Sequence, residues 1–303
     1  MNRSTPRIRL ATLVAALLAL LALTGCSGAD SSMAMSGAPA ADEATVGPQR
    51  IVSISTVATE MLFAIGAGPQ VVAVDSMSNF PADAPSTDLS GYEPNVEAIL
   101  GYAPELVILS YDPGDVVAGL AAAGVETLMQ GAAGAIEDTY SQIIALGEAT
   151  GRTDDATALV ARMREEIATL ADSVTPRSEP LSYYHELDDT LFTVTSSTFI
   201  GEVYALAGLV NVADAADPDG TSWGYPQISA EYLLDADPNL IFLADTKCCA
   251  QDSSTVAARP GWDNLSAVKN GLVIELDDDV ASRWGPRIVD FLNAIVHAVN
   301  AVD

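Results

Sequence analysis

The chain has 303 residues, 41 of them acidic and 13 basic, for a net charge of −28. Such a balance excludes a nucleic-acid surface, which needs a basic footprint, and adsorption by charge to an anionic membrane. It favours solubility and basic partners.

Residues 1–25 read as an export signal. Arg3, Arg7 and Arg9 precede an apolar run from Leu10 to Leu23 and then "LTGC". The run of about 14 apolar residues is short of the roughly 20 that span a bilayer. "LTGC" resembles the lipobox of bacterial lipoproteins, in which the chain is cut before the cysteine, here Cys26, and that cysteine takes the lipid. A plain secretory signal with an incidental cysteine is the alternative. Residues 26–48, rich in Ser, Ala, Gly, Asp and Pro and without an aromatic, read as a flexible tether. Without the signal the chain keeps 10 basic and 41 acidic residues, a net charge of −31.

Residues 49–153 read as an N-terminal α/β lobe. "RIVSIS" (50–55) is a strand and "TVATEMLFAIGAG" (56–68) a helix, with Ser55 or Thr56 as its cap. Glu60 reads as an ordinary residue of that first helix. "VVAVDS" (71–76) is a strand, "NVEAILGYAP" (95–104) a helix and "ELVILS" (105–110) a strand. A helix over 115–124, a strand over 125–130 and a helix over 136–151 follow. Apolar runs alternating with helices predict a parallel sheet covered on both faces.

Residues 154–176 hold one long linking helix. Ala156, Leu159, Val160, Met163, Ile167, Leu170 and Val174 form a single apolar stripe, and "TPRSEP" ends it. Residues 177–303 read as a C-terminal α/β lobe. It has strands over 181–187, 239–245 and 272–277, and helices over 199–208, 229–237 and 286–300.

The halves echo each other. "VEAILGYAPELVIL" (96–109) aligns with "AEYLLDADPNLIFL" (230–243) at an offset of 134, matching Glu97 to Glu231 and Pro104 to Pro238. The expected fold is therefore α/β, with two Rossmann-like lobes joined by a single long helix. Ligands of such sheets sit beyond the carboxyl ends of the strands.

Four segments carry a resemblance: "RIVSISTVATEMLFAIGAG", "NVEAILGYAPELVIL", "YPQISAEYLLDADPNLIFL" and "SRWGPRIVDFL". From Arg50 to Asp303 the chain resembles the substrate-binding lipoproteins of ABC importers for vitamin B12, ferric siderophores and haem. "YPQIS" and "SRWGPR" are most similar to the vitamin B12 branch. The resemblance implies a helix-linked periplasmic-binding-protein fold with limited lobe motion. It implies a metal-chelate ligand, cobalamin or a related corrinoid first and a ferric siderophore second, and no resident cofactor. It implies a monomer outside the cell membrane, held there only by lipid, whose partners are an ABC permease and its ATPase. It also implies that Glu97 and Glu231 dock onto permease arginines, with Glu60 a weaker candidate for that role. The plainer alternative is that each glutamate only favours a helix N-terminus.

A large chelate needs aromatic walls and a few polar anchors. The loops expected to border the cleft offer Met77, Phe80, Tyr92, Trp223, Tyr225 and Trp284, with Asp279 and Arg283 as polar candidates. Arg283, one of few basic residues in an acidic protein, ranks first as an anchor. A surface pair with Asp277, Asp278 or Asp279 is its alternative. Haem fits less well, because it wants an axial His, Tyr or Met, and the sequence has only two histidines. His185 reads as a packed strand residue and His297 as a helix-face residue. Cys248 and Cys249 follow a strand at the cleft side and sit in an oxidising compartment. They are expected to form a disulfide that adds a stiff apolar plate to the ligand-binding wall. Free thiols in a turn and shared metal ligation are the alternatives. No P-loop, G-x-S-x-G or H-E-x-x-H motif is present. A cell-surface enzyme of unknown reaction and a structural surface protein are thus the remaining, less supported classes.

Overall fold

The computed structural model describes residues Gly47–Val302, so Cys26, the signal and most of the tether lie outside the described residues. The first half runs β1 (Ile51–Ile54), α1 (Thr56–Ala64), β2 (Val71–Val74), α2 (Val96–Leu100), β3 (Leu106–Leu109), α3 (Val116–Ala122), β4 (Glu126–Met129) and α4 (Ile136–Thr150). Then comes α5 (Thr153–Asp172). The second half runs β5 (Ser182–Glu186), α6 (Phe199–Leu206), β6 (Val210–Asn211), α7 (Ala230–Ala236), β7 (Leu240–Leu243), α8 (Ser253–Ala257), α9 (Ser266–Lys269), β8 (Val273–Glu275), α10 (Asp278–Ala281) and α11 (Ile288–Asn300).

The strands form two parallel four-stranded sheets, ordered β2-β1-β3-β4 and β6-β5-β7-β8. The orders are the same once the halves are superposed in chain order. Their registers correspond too, with Ile51 opposite Leu106 in one sheet and Tyr183 opposite Leu240 in the other. The echo seen in the sequence is thus a repeat of topology.

The apolar strands alternate in where they point. Leu240 and Phe242 of β7 join a large core, and Ile241 and Leu243 join a second one on the opposite face. In β1, Ile51 faces the large core, while Val52 and Ile54 face a third. A strand buried on both faces favours apolar residues throughout, which is why these runs are nearly continuous; Ser53 of β1 is buried too, and accepts from Thr59 Oγ1 at 2.9 Å.

The large core is shared. It takes Met61 and Leu62 of α1, Ile143 and Leu146 of α4, Leu159 and Met163 of α5, Val203 and Tyr204 of α6, and Phe291 and Ile295 of α11. Twenty residues of α5 span about 30 Å. The helix packs against α4 from the first half and α11 from the end of the second. No helix among the described residues is long and apolar enough to cross a membrane.

Helices α2 and α7 stop sooner than their apolar patterns suggest. Each ends before a residue with positive φ that precedes a proline: Ala103 (φ 48°) before Pro104, and Asp237 (φ 41°) before Pro238. A residue before proline is driven out of the right-handed helical region. The two-residue β6 and the four- and five-residue helices α8–α10 are too short for periodicity to announce.

Candidate ligand-binding cleft

At the carboxyl ends of β1, β2 and β3 lies a cavity of about 400 Å³. Ser55 caps α1 there, accepting from the Ala58 amide at 3.3 Å, and Ser110, just past β3, donates to Ser55 Oγ at 2.7 Å. Asp75, just past β2, turns the loop by accepting from the Met77 and Ser78 amides at 2.7 and 2.9 Å. Burial raises the Asp75 pKa, and those two amides partly counter it. The aromatic lining is Tyr92, Tyr111 and Trp284, with Met77 beside them. Trp284 comes from the second half, and its carbonyl accepts from Thr139 Oγ1 at 2.8 Å.

Of the residues predicted for the ligand site, the cavity therefore gathers Met77, Tyr92 and Trp284. Tyr92 is 72% exposed. Tyr111 was missed by the sequence reading, although it stands one residue beyond "ELVILS" and obeys the post-strand rule that found the others.

Phe80, Asp279 and Arg283 belong to a different assembly. Arg283 Nη1 donates to Glu60 Oε1 and Asn79 Oδ1, both at 2.9 Å, and Nη2 to Asp279 Oδ1 at 2.6 Å. Arg287 donates to both Glu60 oxygens, at 2.9 and 2.6 Å, and its guanidinium lies over the Phe80 ring, 4.3 Å from the centroid. Asp279 also accepts from Asn79 at 3.0 Å and from Lys247 Nζ at 2.9 Å. Burial disfavours the charged Asp279, but the bonds from Lys247 and Asn79 and the charge of Arg283 outweigh it and hold its pKa low. The Arg283 side chain is only 9% exposed, so its donors face protein partners across the two halves. Glu60 is a correction: it is buried and clasped by two arginines, not an ordinary helix-surface residue.

Trp223 and Tyr225 stand on a loop of the second half that Asp217 organises, accepting from the Ser222 and Gly224 amides at 2.9 and 3.1 Å. Trp223 takes φ 58° and is 89% exposed. Gly224 (φ 83°) lets the loop pass close to Thr198, where a Cβ would come within 2.6 Å of Thr198 Cγ2. Neither aromatic lines the first-half cavity. Gly91-Tyr92 and Gly224-Tyr225 precede α2 and α7 at an offset of 133, so each half presents a tyrosine at the same place in its fold.

Glu97 and Glu231 are exposed in the first turns of α2 and α7. Asn95 and Ser229 cap these helices, accepting from the Ala98 and Tyr232 amides. Cys248 and Cys249 are a bonded pair in the turn after β7. Among the described residues no group of three or more His, Cys, Asp or Glu is arranged to hold a metal. His185 is fully buried, its Nδ1 2.8 Å from Tyr204 Oη. Burial pushes its pKa down to about 3, so the ring is neutral. His297 is exposed on α11.

Residues 51–280 match the model of a family described as "Periplasmic binding protein". A "Cobalamin-binding protein" of Halobacterium salinarum is 30% identical over 260 residues, 83% of this chain and 69% of that protein. An "Uncharacterized ABC transporter substrate-binding lipoprotein" of Bacillus subtilis is 26% identical, covering 83% of this chain and 80% of its own. Among solved structures, a periplasmic heme binding protein from Pseudomonas aeruginosa superposes with a TM-score of 0.72 at 25% identity. It covers 84% of this chain and 94% of its own.

Proposed function

The chain belongs to the periplasmic binding protein family, a family of carriers and not of enzymes, and from that premise we propose that it captures a corrinoid, cobalamin or a close relative, for an ABC importer. The observation that carries the ligand choice is the 30% identity to a cobalamin-binding protein across most of the folded chain. The geometry supports it. Tyr92, Tyr111, Met77 and Trp284 offer one apolar, aromatic wall, and Trp223 and Tyr225 project from the other half. Large rigid rings of this kind give contact area at small entropy cost. The burial of His185 in the aromatic core removes it as an axial ligand for haem. In the same proposal Cys26 carries a lipid that tethers the monomer to the outer face of the membrane.

Titration with cobalamin, cobinamide, haem and ferric siderophores, followed by tryptophan fluorescence, tests the reading. Corrinoids are expected to quench saturably, with Trp284 reporting from the cavity wall. Trp284→Ala is expected to weaken binding roughly tenfold or more, the loss typical of a buried aromatic anchor. Tight siderophore or haem binding with no corrinoid response would replace the corrinoid.

Docking to the permease falls to Glu97 and Glu231. Their exposure at equivalent places in the two halves supports this role. The double variant E97A/E231A is expected to bind ligand as well as the wild type while uptake into cells drops by about an order of magnitude. Undiminished uptake would remove the docking role.

A further inference from the structure

The offset of 134 that relates the halves sets Ala244 and Asp245 over Ser110 and Tyr111. The turn after β7 is thus the counterpart of the turn after β3. In the first half that turn lines the cavity, with Tyr111 as its apolar surface. In the second half the equivalent turn has Asp245 at the Tyr111 position and carries no aromatic; three and four residues further on it holds the bonded pair Cys248–Cys249.

The pair is outward. Cys248 is exposed and Cys249 half-buried, and neither is part of the three apolar cores. The turn is held still by contacts that do not involve sulfur. Asp278 accepts from Thr246 Oγ1 at 2.8 Å and from the Lys247 and Cys248 amides, both at 2.9 Å. The Asp245 carbonyl accepts from the Cys249 amide at 3.2 Å. Lys247 Nζ donates to Asp277 and Asp279 at 2.6 and 2.9 Å. Asp279 in turn accepts from Asn79, which sets the turn beside the Met77–Phe80 loop of the opposite half. A ring closed between neighbouring cysteines has no thiol proton, no charge and little freedom. Its polarisable sulfur suits the edge or face of a conjugated ring.

We infer that the Cys248–Cys249 turn is the second half's contact surface for the conjugated face of the ligand, on the turn equivalent to the one that carries Tyr111 in the first half. The inference rests on the corrinoid reading. It adds a sulfur surface to the second half's side of the cleft, in addition to Trp223 and Tyr225, and it makes the oxidised pair the binding form. A dithiol reagent converts the pair to two thiols, which take two electrons and two protons while the reagent closes to its own disulfide.

The test is protection of the wild-type chain. The protein is treated with a dithiol reagent and then alkylated, with and without saturating cyanocobalamin, and the Cys248–Cys249 peptide is followed by mass spectrometry, so Cys26 does not interfere. Because exchange requires access to the attacked sulfur, bound corrinoid is expected to slow the reduction roughly tenfold or more. Equal rates, in a sample whose tryptophan fluorescence shows cyanocobalamin bound, overturn the contact and leave the corrinoid reading standing. A sample that shows no cyanocobalamin binding overturns the corrinoid reading, and this contact with it.

Discussion

Replacing Glu60 with alanine is expected to destabilise the protein by about 3–5 kcal/mol, the range found when one partner of a buried ion pair is removed. Glu60 is 2% exposed and is gripped by Arg283 and Arg287 at 2.6–2.9 Å. Its loss leaves the largely buried Arg287 without its carboxylate partner and Arg283 with Asp279 and Asn79 alone. Urea denaturation followed by tryptophan fluorescence measures the change, and a loss below about 1 kcal/mol would mean that the cluster behaves as an exposed pair does. Ligand binding is expected to suffer as well, because Arg283 also holds Asn79 and Asp279. The cluster is not a simple stabiliser. Exchanging all three charged residues for apolar ones of similar volume can be close to neutral, because the desolvation of the charges disappears with them. What the charges add is direction: they fix how the α1 end of one half meets the α11 end of the other.

Raising the pH from 5 to 8 is expected to cost about 2.5 kcal/mol of stability through Asp245. This carboxyl is fully buried at the end of β7, and as an anion neither of its oxygens finds a donor. Burial first, then the neighbouring charge of Glu186, pushes its pKa up to about 7, although Arg259 pulls the other way. Glu186 is itself held by Arg259 through two bonds of 2.6 and 2.5 Å, so the pair already has its one cation and a proton is what Asp245 lacks. In the unfolded chain the group titrates near 3.9. Below that value both states hold the proton and the contribution is whole. Between about 4 and 7 only the folded state holds it, so stability falls as pH rises. Above the folded value the contribution is gone. Asp245→Asn is expected to flatten the curve over that window and to melt above the wild type at pH 8. Parallel melting curves for the two proteins across pH 5–8 would show that Asp245 does not titrate there.

The lobes were legible because strands such as "LVIL" and "LIFL" are buried on both faces and admit no polar residue. The matched offset carried the topology further than periodicity alone could. At the site, local rules found Met77, Tyr92 and Trp284, since each stands in a loop near a strand end or a helix start. They failed at Glu60, whose partners lie 223 and 227 residues away. A hint was present: Glu60 is the one charge among the nine residues of "TVATEMLFA", the other eight being apolar or small, a helix with no polar face to receive it. Arg283 was ranked high for its rarity, and it does matter, but to a buried carboxylate and not to a free surface. It also meets Asp279, one of the near neighbours that the sequence offers it, but that it reaches Glu60 as well depends on how the halves close, and that is a property of the whole chain.

The core that runs through α1, α4, α5, α6 and α11 ties the two halves together. Duplicated units that stay independent keep their own interiors and can be parted. Here Met61 and Leu62 on one side and Val203 and Phe291 on the other have become parts of a single interior. Severing the chain after α5 would turn that interior into exterior on both fragments. In outline the molecule is a pair, but its interior is one body, and the repeat of topology is not a line along which the protein can be divided.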